Sequence, residues 1–338
     1  MRIVDLFEGG WDTTKTQNTV LKPAIVGVAL KVVDKFVSDF NNFNRSQDIP
    51  AVQRGKPTGS TAYHEIDAIE NPDNIYGDID LQMIAPIQPG MTNAQFTSFW
   101  NDLADNFAKS GKVNYIDTSE SKPGHPIFQV GNDQYVQVDF MWHPTELADW
   151  GAARVTPERG VKGLLMGNMF SVLGELLNMS IQHAGVQLKT VNGQQVSFSK
   201  QKDIKVETLS TNPRSFVYDI FNYLHQQITG SPAKQVDPLL KQFPGNNVDD
   251  VKIATMVNSV KGFAQSCELA GLFGQGALQN FSSADDFLNK FVARYDEKAQ
   301  IDIAGKKRDK ATTPEAIARA NADREKIQKG LDMVKGLF

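Results

Sequence analysis

The sequence predicts an α+β protein, with a small mixed sheet in its first half and a largely α-helical C-terminal part. Two observations predict this class. Before residue 145, helical segments alternate with short strands in which every second residue is apolar. After residue 212, apolar residues recur at helical spacing, and prolines and glycines separate the segments. We therefore expect a core at 1–150, a mostly helical second domain with a β-hairpin at 151–304, and a C-terminal helix at 305–338.

Composition narrows the class of protein. The 338 residues are 41% hydrophobic and 22% charged, as in ordinary soluble globular proteins. One cysteine, Cys267, excludes an internal disulfide, and the five histidines are scattered without the spacing of a zinc site. The N-terminal residues lack the apolar run of a signal peptide, and the sequence has no long apolar stretch of membrane-spanning type. We therefore expect a cytoplasmic protein without a membrane partner.

The elements of the first half follow from the apolar spacing. Apolar residues repeat three and four apart from Pro23 to Phe40, which predicts an amphipathic helix of about twenty residues. The polar run Asn41–Pro57 is predicted to be a connector, and a second helix is expected at Thr92–Gly111. Three strands are predicted after it, at Val113–Ile116, Pro126–Val130 and Tyr135–Trp142, with a hairpin turn between the last two.

The second half is predicted to be mainly helical. Gly163–Met179 is apolar on most sides and indicates a buried helix, while Asn192-Gly193 predicts a β-hairpin turn. Further helices are expected around Phe216–Leu224, Val251–Phe263 and Phe287–Tyr295, and from Pro314 to the end. The apolar stripe of the last helix indicates core packing, with an oligomer contact as the alternative.

Three aspartates carry the functional prediction. Residues two apart on a strand point to the same face, so Asp78 and Asp80 share a face while the apolar residues around them enter the core. Asp139 alternates with apolar residues in the same way. Neighbouring carboxylates repel each other unless a cation lies between them, and Mg²⁺ or Mn²⁺ takes oxygen ligands. Upstream, the turn with Gly59, Ser60 and Thr61 offers N–H groups and hydroxyls to a phosphate, so a two-metal phosphoryl-transfer site is predicted.

These residues resemble the DNA polymerase β-like nucleotidyltransferases. That family combines a Gly-Ser turn, an Asp-x-Asp strand and a third aspartate on a neighbouring strand, which match Gly59-Ser60, Asp78-Ile79-Asp80 and Asp139. The resemblance covers roughly residues 20–145. Seventeen residues separate Ser60 from Asp78, more than is usual in the family, and we ascribe the excess to a polar surface turn.

The resemblance implies an activity and a set of roles. A nucleoside monophosphate would pass from an NTP to an acceptor hydroxyl with release of pyrophosphate. Asp78, Asp80 and Asp139 would hold the metal ions, and Ser60 with nearby N–H groups would hold the triphosphate. Lys162, at the start of the buried helix, would reach the β- or γ-phosphate, and a solvated helix-start lysine is the alternative. A cyclic or oligonucleotide synthase is the nearest alternative within the family.

Two alternatives lie outside the family. A glycosyltransferase also uses an Asp-x-Asp motif to hold the metal of a nucleotide sugar, but it would leave Gly59-Ser60 and Asp139 unexplained. The chain could instead be a nucleotidyltransferase-like module kept for binding or structure. Against that, a fold without a metal has no evident reason to cluster three carboxylates.

The charge distribution bears on the acceptor. Residues 305–338 carry nine Lys and Arg against five Asp and Glu, and the remainder carries 26 against 34. Because a polynucleotide acceptor needs a basic surface, we expect a small molecule, a nucleotide or a protein as acceptor rather than nucleic acid.

Overall fold

The chain forms two compact units, Met1–Val155 and Thr156–Phe338. The computed structural model describes residues 15–16, 19–87, 91, 93–149, 162–182, 185–191, 194–196, 205–213, 215–238, 240, 253–308 and 314–338. Helices and a four-stranded mixed sheet in the first unit, followed by a mainly helical second unit, make this an α+β protein, as predicted.

The described part of the first unit consists of helices packed on a mixed sheet. Its elements are α1 (Pro23–Arg45), β1 (Gln53–Pro57), α2 (His64–Glu70), β2 (Ile79–Ala85), α3 (Asn93–Lys109), β3 (Ile127–Gly131) and β4 (Gln134–Pro144). The strand order is β1-β2-β4-β3. The central pair β2–β4 is parallel, and both outer pairs are antiparallel. The two central strands therefore run side by side in the same direction.

An aromatic cluster holds the helices against one face of this sheet. Phe36 of α1 is 1% exposed, and its ring centroid lies 5.5 Å from that of Phe107 on α3 and 5.6 Å from that of Phe140 on β4. The apolar residues of β2 face the same core, since Ile79 and Leu81 are fully buried. The alternate residues of both central strands consequently point away from the helices and can form a polar site.

The second unit combines helices with a small antiparallel sheet. Its described elements are α4 (Lys162–Leu176), β5 (Ser180–Gln182), β6 (Gly185–Val191), β7 (Gln194–Val196), β8 (Lys205–Ser210), α5 (Phe216–Thr229), α6 (Ile253–Leu269), α7 (Ala284–Arg308) and α8 (Pro314–Leu337). Strand β6 pairs with β5, β7 and β8. Helix α7 packs against α4, α6 and α8. No helix in the described part of the chain is long and apolar enough to cross a membrane.

The last helix belongs to the core of the second unit. Ile327, Leu331 and Val334 on α8 are at most 1% exposed within the single chain, which accounts for the predicted apolar stripe by core packing. The preceding helix α7 continues to Arg308, so the segment boundary expected at 304/305 lies inside a helix.

Several elements differ from the sequence-based expectation. Val113–Ile116 was predicted as a strand, but it forms only an isolated bridge, because a single residue of it, Ile116, pairs with Phe128 of β3. The supposed connector before Pro57 contains strand β1, whose mostly polar residues are placed by pairing with β2 rather than by burial. Helix α2 was not predicted. The hairpin expected near Asn192 is extended by β5 and β8 into a four-stranded sheet.

Candidate metal centre

The three aspartates meet on the central strand pair. Strands β2 and β4 are parallel with Asp80 paired to Asp139, and Asp78 immediately precedes β2. The residues that alternate with them are buried, among them Ile79 and Val138 at 0% exposure. Because successive side chains on a strand point to opposite faces, this burial directs the carboxylates to the face opposite the helices. Asp78 lies just outside the strand, and its carboxylate is nevertheless close to that of Asp80, as the prediction of a shared face requires.

The geometry of the carboxylates suits a metal ion. One oxygen from each of Asp78, Asp80 and Asp139 lies within 4.8 Å of the others, and all three residues are half-buried. Three oxygen ligands at such distances could hold a cation, so the predicted clustering of the three carboxylates is confirmed. That Mg²⁺ or Mn²⁺ binds there stays a prediction. Among the residues that the structure describes, no other group of three His, Cys, Asp or Glu side chains has this geometry.

Electrostatics show why a cation would be favourable there. Burial, reinforced by the charges of Asp80 and Asp139, raises the pKa of Asp78 to about 6. Burial also raises the pKa of Asp80, and the charge of Asp139 adds to that effect. A carboxylate that loses water and faces like charges resists ionisation. A positive ion among these oxygens would relieve both penalties.

A glycine turn lies directly against Asp80. The backbone N–H of Thr58 donates to the carbonyl oxygen of Asp80 at 2.7 Å. Gly59 has a φ of +59°, and a Cβ at this position would lie 2.6 Å from Oδ2 of Asp80. Only glycine combines that backbone conformation with such a close approach. The turn predicted to hold phosphate is therefore adjacent to the carboxylates.

The remaining predicted binding residues have different outcomes. Thr61 is 1% exposed, and its hydroxyl donates to the carbonyl of Thr58 at 3.0 Å, so it shapes the turn. The side chains of Ser60 and Lys162 lie outside the described residues. Lys162 begins α4 in the second unit. A role of these three residues in nucleotide binding stays a prediction.

Sequence reasoning missed two residues that contact the cluster. Oδ1 of Asp139 lies 2.8 Å from Nδ1 of His125 and 2.7 Å from Nε2 of Gln137. His125 had been grouped with the scattered histidines. The pairing that brings it to Asp139 depends on a bulge in the β3–β4 hairpin, where the register shifts between Gln129 and Gly131. Spacing alone does not reveal that shift.

The fold and the cluster together define a class: an α+β protein with a candidate metal centre on its central strands. Comparison with protein-family models, curated proteins and solved structures gives no match. The family resemblance of the motif therefore stays a prediction, and the functional conclusion depends on the geometry of the site.

Proposed function

We propose that this protein is a metal-dependent nucleotidyltransferase that moves a nucleoside monophosphate from an NTP to an acceptor hydroxyl. The observation that carries the proposal is the convergence of Asp78, Asp80 and Asp139 from two paired strands, with the Gly59 turn against Asp80. The glycosyltransferase alternative needs neither the turn nor Asp139, so it accounts for less of this geometry.

The donor set fits Mg²⁺ or Mn²⁺. All three side chains offer oxygen, which hard divalent ions prefer, and their charges and partial burial leave a deficit of positive charge. When bound, such ions would polarise the triphosphate and lower the pKa of the attacking hydroxyl. Asp78 and Asp80 would ligate both ions, and Asp139 would complete the ion next to the acceptor.

The chain's own groups would act by position and charge. Asp139 would accept the proton of the acceptor hydroxyl as its oxygen attacks the α-phosphorus. The bond from that phosphorus to the bridging oxygen would break, and the electron pair would leave with pyrophosphate. The turn at Gly59, with the hydroxyl of Ser60, would hold the triphosphate so that the leaving oxygen is in line with the attacking one.

The charge of the first unit favours a small acceptor. Residues 1–155 contain 12 Lys and Arg against 20 Asp and Glu, a net charge of −8 on the unit that carries the carboxylates. A polynucleotide would be repelled by that net charge unless a local basic surface offset it. We therefore propose a small molecule, a nucleotide or a protein side chain as acceptor.

The test is release of pyrophosphate from each labelled NTP in the presence of Mg²⁺, with nucleosides, nucleotides, sugars and proteins as acceptors. We expect Asp139→Asn to lower kcat by a factor on the order of 10² or more, because several kcal/mol of transition-state stabilisation is lost. The variant should still bind the NTP. The double variant with Asp78→Asn and Asp80→Asn should lose metal-dependent NTP binding as well.

Asp73→Asn supplies the matched control, because Asp73 lies on the same stretch of chain, is exposed, and pairs with Lys22 at 2.7 Å. It should behave as the wild type. Metal-dependent NTP binding that survives in the Asp78/Asp80 double variant would contradict the site. Binding without pyrophosphate release for any NTP and acceptor would favour the non-catalytic module.

A further inference from the structure

His125 occupies the position directly across from Asp139. The backbone N–H of Val138 donates to the carbonyl of Pro126 at 3.0 Å, and that of Phe140 donates to the carbonyl of Gly124 at 2.8 Å. Antiparallel pairing with β4 thus continues beyond the start of β3. Between these two hydrogen-bonded pairs, His125 and Asp139 form a non-hydrogen-bonded pair, the arrangement in which facing side chains come closest.

The loop that carries His125 is held in place. Lys122 and His125 exchange backbone hydrogen bonds, with N···O distances of 3.3 and 2.8 Å. Between them, Gly124 has a φ of +82°, and a Cβ there would lie 2.8 Å from the side-chain amide of Asn101 on α3. Nε1 of Trp142 donates to the same amide at 2.7 Å. The loop therefore packs closely against α3 and presents His125 in a defined place.

Both polar neighbours of Asp139 contact the same oxygen. Nδ1 of His125 and Nε2 of Gln137 lie 2.8 and 2.7 Å from Oδ1. Because an ionised carboxylate only accepts hydrogen bonds, both nitrogens act as donors to it. Gln137 is 5% exposed, so its amide is kept near Asp139 by packing. Among the described residues, none donates a hydrogen bond to Oδ2.

We propose that His125 and Gln137 are positioning residues of the metal centre: they hold Oδ1 of Asp139 and leave Oδ2 for the metal ion and the acceptor proton. This rests on the proposed function. Without them, repulsion from Asp78 and Asp80 would favour rotation of the Asp139 carboxylate away from the cluster. Two hydrogen bonds to one oxygen oppose that rotation. Donors of this kind orient metal ligands and are commonly needed for full metal affinity.

The first experiment measures Mn²⁺ binding to the full chain by electron paramagnetic resonance, with a non-hydrolysable NTP analogue present. His125→Phe removes the donor and keeps a ring, and it should weaken Mn²⁺ binding by about 10- to 100-fold. His125→Asn places an amide N–H near the former Nδ1 and should restore most of the affinity. His225→Phe is the control, since this histidine lies on α5 of the other unit.

Kinetics separate positioning from general damage. In His125→Phe, kcat should fall by about the same factor as metal affinity, with KM for the NTP nearly unchanged because Asp78 and Asp80 keep their oxygens. Gln137→Leu should act in the same direction. Asn74→Leu is its control, because that amide also donates to a carboxylate at 2.7 Å, but to Asp67 on α2 instead of Asp139.

The outcomes distinguish the two proposals. If the wild type binds Mn²⁺ and His125→Phe binds it equally well, the positioning role is overturned and the proposed function stands. If His125→Asn is as impaired as His125→Phe, the hydrogen bond is not the cause and the role is also overturned. If the wild type binds no divalent ion, both proposals fail. Should His125→Phe not fold, weaker Mn²⁺ binding by Gln137→Leu than by Asn74→Leu supports the positioning role, and equal binding by the two variants overturns it.

Discussion

Asp78 is a residue whose charge opposes folding. Its carboxyl group has lost much of its contact with water and faces Asp80 and Asp139, which raises its pKa to about 6 from the ordinary 3.8. In the unfolded chain the same group would ionise freely. The metal-free protein thus retains an electrostatic cost at the position where a cation would be bound, and that cost has a pH dependence.

The first prediction concerns that pH dependence. Because the pKa of Asp78 is higher in the folded state, its contribution to stability is present below about pH 4 and is lost as pH rises through about 6. Between about pH 4 and pH 6, the free energy of unfolding of the metal-free wild type should therefore fall by about 1 kcal/mol relative to that of Asp78→Asn, after allowance for solvent screening. The measurement is urea unfolding of both proteins, followed by tryptophan fluorescence.

Subtracting the variant cancels the titrating groups that do not interact with Asp78, such as Asp117, whose pKa is held low by Lys15 and Ser119 against the effect of burial. At neutral pH, Mg²⁺ should raise the free energy of unfolding of the wild type much more than that of Asp78→Asn, because binding to the folded state alone stabilises it. If the difference in free energy of unfolding between wild type and Asp78→Asn does not change with pH, folding does not raise the pKa of Asp78 and the prediction is wrong.

At the scale of elements, the Gly59 turn gives a second prediction. Gly59→Ala forces a residue with a side chain to adopt the left-handed backbone conformation, which costs about 1–2 kcal/mol of stability. It also places a Cβ 2.6 Å from Oδ2 of Asp80. Gly111→Ala is matched for the first cost only, since Gly111 has a φ of +74° and no atom within 4 Å of the added Cβ. Both variants should be destabilised, as measured by urea unfolding.

Metal affinity separates these two variants. Gly59→Ala should also weaken Mn²⁺ binding by about tenfold or more, because the Asp80 carboxylate has to move. Gly111→Ala should keep wild-type affinity. Equal Mn²⁺ affinity in both variants would argue against a metal site that includes Asp80.

The elements that could be predicted are those with a clear periodicity. Helix α1 and strand β2 each have one apolar face, and burial of that face places the rest of the element. The same alternation was sufficient to predict that Asp78 and Asp80 share a face. Their closeness to Asp139 follows from the parallel pairing of β2 with β4, which periodicity does not encode. The family resemblance implied that the two strands are neighbours, but not that they are parallel.

The elements that were missed are held by pairing or short-range turns. Strand β1 has no buried residue of its own and is placed by hydrogen bonds to β2. His125 was not predicted as a site residue because strand register, too, decides which residue faces Asp139. A regular hairpin with Gly131 opposite Gln134 would pair Pro126 with Asp139, whereas the bulge brings His125 there. A one-residue shift changes which side chain faces the site.

For the whole molecule, the division of charge leads to the third prediction. The unit with the carboxylates has a net charge of −8, while residues 156–338 contain 23 Lys and Arg against 19 Asp and Glu. We expect the full chain to bind single-stranded RNA, single-stranded DNA and tRNA weakly. Fluorescence anisotropy at low and moderate salt measures this, and whatever binding occurs at low salt should disappear as salt rises.

NTP consumption should be the same with and without these nucleic acids. Nucleic-acid binding that is tight and strongly salt-dependent, together with faster pyrophosphate release, would instead identify a polynucleotide acceptor. In that case the basic residues of the second unit would be the first to substitute.

The bulge in the β3–β4 hairpin also bears on how such a sequence can change in length. The extra residue at Val130 is absorbed next to the turn, so pairing from Gln129 onward is the same as in a chain one residue shorter. Insertions or deletions of a single residue at the turn can therefore leave His125 across from Asp139. Between residues 125 and 129, the same change would bring a different side chain to the metal centre. In an alignment of homologous sequences, we expect insertions and deletions at the turn and a constant length in the segment 125–129.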